Sequence, residues 1–216
     1  MKIAVIGATG YVGNAVVKEL AERGHDVAAF ARNTGKVFAA DNVQAVATDV
    51  NAADFADKLQ GFDAVVSAFN PGWNNPNIGA DFAKGAAAIT EAAKAAAVPY
   101  LLVVGGAGSL YVAPGVQLID TPEFPQEIFA GANAARNLLT DLRDRRDVNW
   151  AFISPPAMFY EGSPFEPKGK YRFGQDDVLM SGDAPAGIHV DDLAKAIADD
   201  AEQKAHLFQR FTVAEV

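Results

Sequence analysis

Short apolar runs alternate with helical patterns along the chain, and few folds can accommodate that alternation. Helical patterns cover about Val12 to Arg23, the alanine-rich stretch ending before Pro99, about Pro125 to Arg145, and a segment that begins near Asp191 as its N-cap. Strands that alternate with helices form a parallel sheet with both faces covered. The sequence therefore predicts an α/β fold with a doubly wound parallel sheet. The runs typical of buried strands are KIAVIG, HDVAAFA, VQAVATD, FDAVVSAF, YLLVVGG and NWAFISPP.

No internal repeat or linker-like stretch divides the chain, so residues 1–216 are predicted to form a single domain. Three stretches rich in Gly, Pro and Asn, at 70–77, 112–125 and 161–187, are predicted to be loops at the carboxyl edge of the sheet. Ligands bind at that edge in doubly wound folds. The last stretch predicts a small cap on the substrate side, at about 159–190.

Composition limits the possible partners. The formal net charge of −9 argues against a nucleic acid or an anionic membrane as the main partner, although a local basic pocket remains compatible with it. The chain has no cysteine, and His25, His189 and His206 do not have metal-ligand spacing, so no metal site is predicted. No signal or membrane segment is recognisable, and a cytoplasmic location is expected. The sequence does not indicate an oligomeric state.

The first predicted strand leads into a helix through a glycine turn, Gly7, Gly10 and Gly13, with the pattern G-x-x-G-x-x-G. Gly7 would permit the tight turn, Gly10 the approach of backbone to a pyrophosphate, and Gly13 close packing of helix on sheet. The amides of the helix N-terminus would then face the phosphates. A simple strand-to-helix turn is the alternative, but the placement favours a dinucleotide site that includes Thr9, Tyr11 and Val12.

Arg32 stands at the end of the second predicted strand, nineteen positions after Gly13. An NAD site usually offers Asp or Glu there to the ribose 2′-hydroxyl, whereas a guanidinium pairs with a 2′-phosphate. The segment FARNTGK has no acid and Lys36 is near, so NADP(H) is favoured over NAD(H); a solvated strand-end arginine is the alternative. Asp49, with Val50, could bond the adenine amino group or only close a local turn, and both interpretations stay open.

The runs GATGYVG, ATDV, VVSAF, VVGGAGSL, WAFISPPAMF and IHVDDLA together resemble the atypical short-chain dehydrogenase/reductase family. Within it the chain is similar to the NADH–flavin reductase group, related to biliverdin reductase B and NmrA-like proteins. The resemblance implies a Rossmann-type core that binds NAD(P)(H). It places the ribose beside the backbone of Ser67, Ala68 and Phe69, with a purely core role as the alternative for Phe69. It places the nicotinamide beside the backbone of Ser154, Pro155 and Pro156. Gly105 and Gly106 are also assigned to the cofactor.

Classical members of the short-chain dehydrogenase/reductase superfamily carry the pair Tyr-x-x-x-Lys, and this chain does not. Its five tyrosines are followed four positions later by Ala, Val, Gly, Pro and Gln. Reduction of a carbonyl needs an acid for the developing alkoxide, so the missing pair disfavours alcohol oxidation and sugar epimerisation. A flavin or quinone spreads the charge of an arriving hydride over a conjugated ring, and ring stacking can then suffice.

Several residues are candidates for binding such an acceptor. Ser109 could donate to an acceptor carbonyl as the one catalytic candidate, or it could cap a turn. His189, before Asp191, suggests proton transfer but is more simply the edge of a helix. The acceptor-binding candidates, for which polar turns or core packing are the alternatives, are Asn70, Trp73, Asn74, Tyr111 and Phe159.

The predicted function is an NADPH-dependent reductase that passes hydride to a small flavin-like or quinone-like acceptor. A catalytically silent NADP(H)-binding regulator, as in NmrA-like proteins, is the alternative from another class. A sugar epimerase or dehydratase is a third reading, disfavoured by the missing Tyr–Lys pair.

Overall fold

A central sheet organises the protein in a computed structural model that describes residues 1–216. Eight strands lie in the order β3-β2-β1-β4-β5-β8-β12-β9, and every neighbouring pair is parallel except β12 with β9. Two antiparallel hairpins, β6–β7 and β10–β11, stand apart from it. The strands are β1 Lys2–Ile6, β2 Asp26–Ala31, β3 Val43–Ala47, β4 Ala64–Ser67, β5 Leu101–Val104, β6 Tyr111–Ala113, β7 Val116–Gln117, β8 Trp150–Ser154, β9 Arg172–Gly174, β10 Met180–Ser181, β11 Ala184–Pro185 and β12 Arg210–Ala214.

Helices cover both faces of the sheet. The helices are α1 Tyr11–Glu22, α2 Phe55–Lys58, α3 Ile78–Ala95, α4 Gln126–Arg143 and α5 Val190–Gln203. Helices α1 and α5 pack together on one face, and α3 packs against α2 and α4 on the other. The doubly wound α/β prediction is confirmed. No helix is long and apolar enough to span a bilayer.

Buried strands send alternate side chains into two separate cores. In β1, Ile3 and Val5 join the core beneath α1 and α5, whereas Ala4 and Ile6 join the core beneath α2, α3 and α4. Successive side chains of a strand point to opposite faces, so a strand covered on both sides needs a continuous apolar run. This requirement explains why the central strands were recognisable from the sequence.

The peripheral elements differ from the sequence prediction. The stretches 112–125 and 161–187 contain the hairpins and β9, and β12 closes the sheet beside β8. Strands of two or three residues are too short to show a period, which is why these were predicted as loops. The predicted cap is thus partly an extension of the main sheet. The N-cap of α5 is His189, not Asp191, because the His189 Nδ1 accepts the Asp191 backbone N–H at 3.2 Å.

A buried polar cluster fastens the end of α5 to the sheet. The Tyr100 hydroxyl donates to Asp200 Oδ2 at 2.6 Å, and His206 Nδ1 lies 2.6 Å from Asp200 Oδ1. Tyr100 and Asp200 are 0% and 3% exposed. Burial, followed by the bond to Asp200, raises the pKa of the Tyr100 phenol, so it remains a donor throughout the neutral range.

We expect Tyr100→Phe to lower the free energy of unfolding by about 1–3 kcal/mol, because a buried carboxylate loses one of its donors. Urea denaturation followed by circular dichroism measures the change. The control is Tyr160→Phe, at a side chain that is 50% exposed. Equal stability of the two variants would contradict a stabilising role for the buried pair.

Candidate dinucleotide-binding site

Gly7 and Gly13 allow the backbone of the first turn to pack closely. Gly7 has a φ of +78°, and a Cβ there would lie 2.3 Å from the Ala68 carbonyl oxygen. A Cβ at Gly13 would lie 2.1 Å from the Gly7 carbonyl oxygen. Both contacts are with backbone, which cannot move aside cheaply. These two glycines therefore hold β1, α1 and the end of β4 together.

Gly10 is in a different situation. It is exposed, it is the N-cap of α1, and its φ of −76° and ψ of 168° are open to any residue. A Cβ there would have one neighbour within 4 Å, the Gly7 carbonyl oxygen at 3.3 Å. The backbone conformation therefore does not require glycine at this position, and a side chain would need the Gly7 carbonyl to move by only a few tenths of an ångström. The missing side chain leaves room beside the helix N-terminus for a ligand.

A cleft of about 370 Å³ opens at the glycine turn. It lies at the carboxyl ends of β1, β2, β3 and β4, with α3 along one side. The structure thus brings together residues from five separate parts of the chain. The predicted site residues that line it are Gly7, Thr9, Gly10, Arg32, Asp49, Val50, Ala68, Phe69 and Asn70.

Two cations line the cleft without a protein partner. Neither Arg32 nor Lys84 makes an ion pair or a side-chain hydrogen bond, although the chain has an excess of acids. Lys84, from α3, was not identified from the sequence. It shares a helix face with Asp81 by the i, i+3 spacing, but which element that face meets depends on helix packing. Lys36, which was identified, does not line the cleft.

The Asp49 carboxylate is held ionised by hydrogen bonds from Asn51 and by the charges of these cations. Its Oδ1 accepts the Asn51 backbone N–H at 2.8 Å and the Asn51 amide at 3.0 Å. The two bonds hold the pKa of the Asp49 carboxyl below its usual value, and the charges of Arg32 and Lys84 add to the effect. The local turn predicted as one alternative is therefore present, while Oδ2 has no protein donor.

The other half of the predicted cofactor site is more enclosed. Ser67 is buried and faces a small crevice against α3, not the cleft. A Cβ at Gly105 would lie 2.0 Å from the Phe152 ring, so that glycine is required by core packing. A Cβ at Gly106, by contrast, would have no neighbour within 4 Å. Tyr11, Val12, Gly13, Ser154, Pro155 and Pro156 flank the site without lining the cleft.

The 70–77 loop contains both turn-forming and exposed residues. Asn70 Oδ1 accepts the Gly72 backbone N–H at 2.7 Å, as in a polar turn, while Asn70 also lines the cleft. Asn74 is exposed, and Trp73 is 58% exposed, with its ring edge beside Gly131 of α4. The structure therefore places Trp73 against α4 and outside the cleft lining.

The remaining acceptor candidates lie on the cap side. Phe159 stacks on Tyr11 with ring centroids 5.7 Å apart, which joins the cap to the start of α1. Burial, followed by the charges of Glu161 and Asp191, raises the pKa of Tyr11. Tyr111 pairs through its backbone with the 176–178 segment. Of the five acceptor candidates, Asn70 alone lines the cleft.

Ser109 is buried, in a 3₁₀ turn at Ala107–Ser109, with 3% of its surface exposed. Its Oγ lies 3.4 Å from Nη1 of Arg210, which is also 3.5 Å from the Ser154 Oγ. Arg210 was not identified from the sequence. A single arginine at the start of the apolar run RFTVA was the only available signal.

A parallel sheet with a glycine turn at a helix N-terminus and free cations beside it defines a Rossmann-type dinucleotide-binding protein. The chain belongs to the family described as NAD(P)H-binding, whose model matches residues 7–204. This membership agrees with the predicted atypical short-chain dehydrogenase/reductase family.

Similar proteins cover the whole chain. An uncharacterised Bacillus subtilis protein, YwnB, is 38% identical over 219 residues, covering 99% of this chain and 98% of its own. The structure of a "putative NADH-flavin reductase" from Streptococcus pneumoniae is 33% identical, with a TM-score of 0.87 and 100% coverage of both chains. That of a "putative epimerase" from Bacteroides thetaiotaomicron is 34% identical, with a TM-score of 0.88 and coverage of 100% and 97%.

Proposed function

We propose that the protein is an NADPH-dependent reductase that passes hydride to a conjugated acceptor, a flavin or a quinone. The observation that carries the proposal is the cleft beside the glycine turn, where Arg32 and Lys84 lack partners in an otherwise acidic protein. Such a cleft suits a ligand with several phosphates. The NAD(P)H-binding family and the reductase name of one relative support the same activity.

The residues present fit a phosphorylated dinucleotide. Because Gly10 has no side chain, space remains next to the amides of the α1 N-terminus. The pyrophosphate would occupy that space. Arg32 would pair with the 2′-phosphate, and the free Asp49 oxygen would accept the adenine amino group. The bound cofactor would supply the hydride. The protein's contribution is to hold it at the sheet edge near Ser154.

The raised pKa values of three tyrosines favour reduction of a conjugated acceptor over alcohol or sugar chemistry. Alcohol and epimerase chemistry needs a tyrosine with a lowered pKa, usually beside a lysine. Tyr11, Tyr100 and Tyr171 all have raised pKa values, in each case mainly from burial. Tyr100 and Tyr171 also donate to Asp200 and Asp199. An acceptor ring that delocalises the hydride charge does not require such an acid.

A silent NADP(H)-binding regulator is the second candidate. It is favoured by one observation, the burial of Ser109, the single predicted catalytic side chain. Under this alternative the protein would bind NADPH without oxidising it.

The test is NADPH oxidation, followed by absorbance, with riboflavin, menadione, an aldehyde and a UDP-sugar. We expect turnover with riboflavin or menadione and none with the last two. Calorimetric titration of NADPH accompanies the assay. Binding without turnover of any acceptor would favour the regulator, and absence of binding would contradict both functions.

A further inference from the structure

The charged side chains that line the cleft comprise two of each sign. Arg32 and Lys84 are cations, whereas Asp49 and Asp81 are carboxylates. Removal of either cation would leave this set net negative, and negative charge repels a phosphate. An anionic ligand in the cleft therefore depends on both cations, of which only Arg32 was identified from the sequence.

Lys84 lies at the cleft with its ammonium group free. It is exposed and follows Asp81 by three positions on α3, a spacing at which an ion pair could form. No such pair is present, and the Asn75 amide donates to Asp81 Oδ2 at 2.7 Å instead. The bond to Asn75 occupies Asp81 and leaves the Lys84 charge for a ligand.

Close packing of α3 on the end of β4 brings Lys84 to the cleft. The next residue, Gly85, is buried, and a Cβ there would collide with the Phe69 ring. Phe69 itself follows β4 and lines the cleft. The missing side chain therefore lets the helix approach a cleft-lining ring closely, and Lys84 lies one residue from that contact.

Both cations act on the same carboxylate. After the hydrogen bonds from Asn51, the charges of Arg32 and Lys84 lower the pKa of Asp49 further. Asp49 follows β3 and Arg32 follows β2, and these two strands pair in parallel. The Lys84 charge therefore acts at the same end of the cleft as Arg32, whereas the amides of the α1 N-terminus begin at Gly10. Because the pyrophosphate would bind those amides, the two cations are available to a second phosphate group.

We propose that Lys84 is a specificity-determining residue that binds the 2′-phosphate of NADPH together with Arg32. This inference rests on the proposed use of NADPH. A phosphate monoester carries a charge of about −1.5 to −2 at pH 7, which one arginine beside Asp49 does not offset. Two cations beside that carboxylate leave net positive charge for the phosphate, and NADH, which has a hydroxyl group there, gains little from it. Selection of NADPH thus needs a helix residue as well as the arginine at the strand end.

The first test compares Lys84→Gln, Lys84→Arg and Lys36→Gln by calorimetric titration with each cofactor. Lys36 provides the matched control, since it is exposed and near Arg32 in the chain but does not line the cleft. We expect Lys84→Gln to weaken NADPH binding about five- to tenfold and NADH binding less than about twofold. Lys84→Arg should keep most of the preference, and Lys36→Gln should change neither affinity. Equal losses for the two cofactors in Lys84→Gln would overturn the proposal.

Two fragments of the cofactor locate the phosphate that Lys84 contacts. Adenosine 2′,5′-bisphosphate carries the 2′-phosphate, whereas ADP carries both of its phosphates on the 5′ side. We expect Lys84→Gln to weaken binding of the bisphosphate about fivefold or more and to leave ADP binding unchanged. Loss of ADP binding by the same factor would assign Lys84 to the pyrophosphate and overturn the proposal.

The two cations should also depend on each other. Without Arg32, the charge of Asp49 opposes that of Lys84, so Lys84→Gln should cost much less NADPH affinity in Arg32→Ala than in the parent protein. Additive losses would show that the cations bind different groups. None of these titrations requires hydride transfer. If the parent protein prefers NADPH but reduces no acceptor, the reductase function fails and the assignment of Lys84 stands, whereas turnover with an unchanged preference in Lys84→Gln overturns the assignment alone.

Discussion

Replacing Gly10 with valine is expected to abolish dinucleotide binding while the protein stays folded. The backbone at Gly10 is in an extended conformation that valine adopts readily, and the one protein atom near the new Cβ would be the Gly7 carbonyl oxygen at 3.3 Å. That space adjoins the α1 N-terminus, so the added methyl groups would displace a pyrophosphate from the amides. We expect affinity for NADPH to fall about a hundredfold or more, measured by calorimetric titration.

Gly13→Ala is the matched comparison, with the opposite expectation. The new Cβ would lie 2.1 Å from a backbone oxygen, so the helix must shift away from the turn. We expect a loss of about 1–3 kcal/mol in stability, visible as a melting temperature lower by about 2–10 °C. If Gly10→Val is folded by circular dichroism and binds NADPH normally, the glycine turn is not the phosphate site.

Arg32→Ala is expected to remove the preference for NADPH. The guanidinium is exposed, lines the cleft and has no protein partner, so its loss leaves no buried group unpaired. Charge-assisted hydrogen bonds contribute about 1.5–3 kcal/mol, so NADPH should bind about 10–100-fold more weakly. NADH lacks the 2′-phosphate, and its affinity should stay nearly constant. The difference between the cofactors should shrink as salt is added, because exposed charges are screened.

Arg146→Ala is the control for Arg32→Ala. Arg146 precedes β8 and lies at the amino edge of the sheet, beside the Phe208 ring and away from the cleft. Its removal changes the net charge by the same amount and should leave the affinities for both cofactors unchanged. Equal affinity of the parent protein for NADPH and NADH would contradict the assignment of Arg32. Equal losses in the two variants would indicate a general charge effect.

The two halves of the candidate site are built differently. The half that would hold the adenosine and the phosphates is an open cleft with exposed charges, Arg32 and Lys84. In the half near Ser154, Arg210, Ser109 and Ser154 are buried, and Arg210 Nη1 lies 3.4 and 3.5 Å from the two serine Oγ atoms. Substitutions in the first half should therefore act mainly on binding. Substitutions in the second half should act on both binding and stability, so each needs a folding control.

Local features of the sequence were sufficient for the central architecture. The continuous apolar runs predict strands covered on both faces, because each successive side chain must find a core. The spacing of Gly7, Gly10 and Gly13 predicts the turn, since all three act within one strand–helix connection. Arg32 was identifiable because its distance from that turn is set by one helix and one strand. Each of these predictions depends on residues that are near one another in the chain.

The tertiary structure alone decided which distant residues meet. Lys84 reaches the cleft because of how α3 packs on the sheet, and Arg210 meets Ser109 and Ser154 because β12 pairs beside β8. The tertiary structure also showed that Gly105 packs against Phe152. It placed Trp73 separately, beside α4. Such contacts join segments separated by tens of residues, and no local period or spacing encodes them. The sequence determined the fold class and the phosphate turn, whereas packing between strands and helices decided the surroundings of the reacting groups.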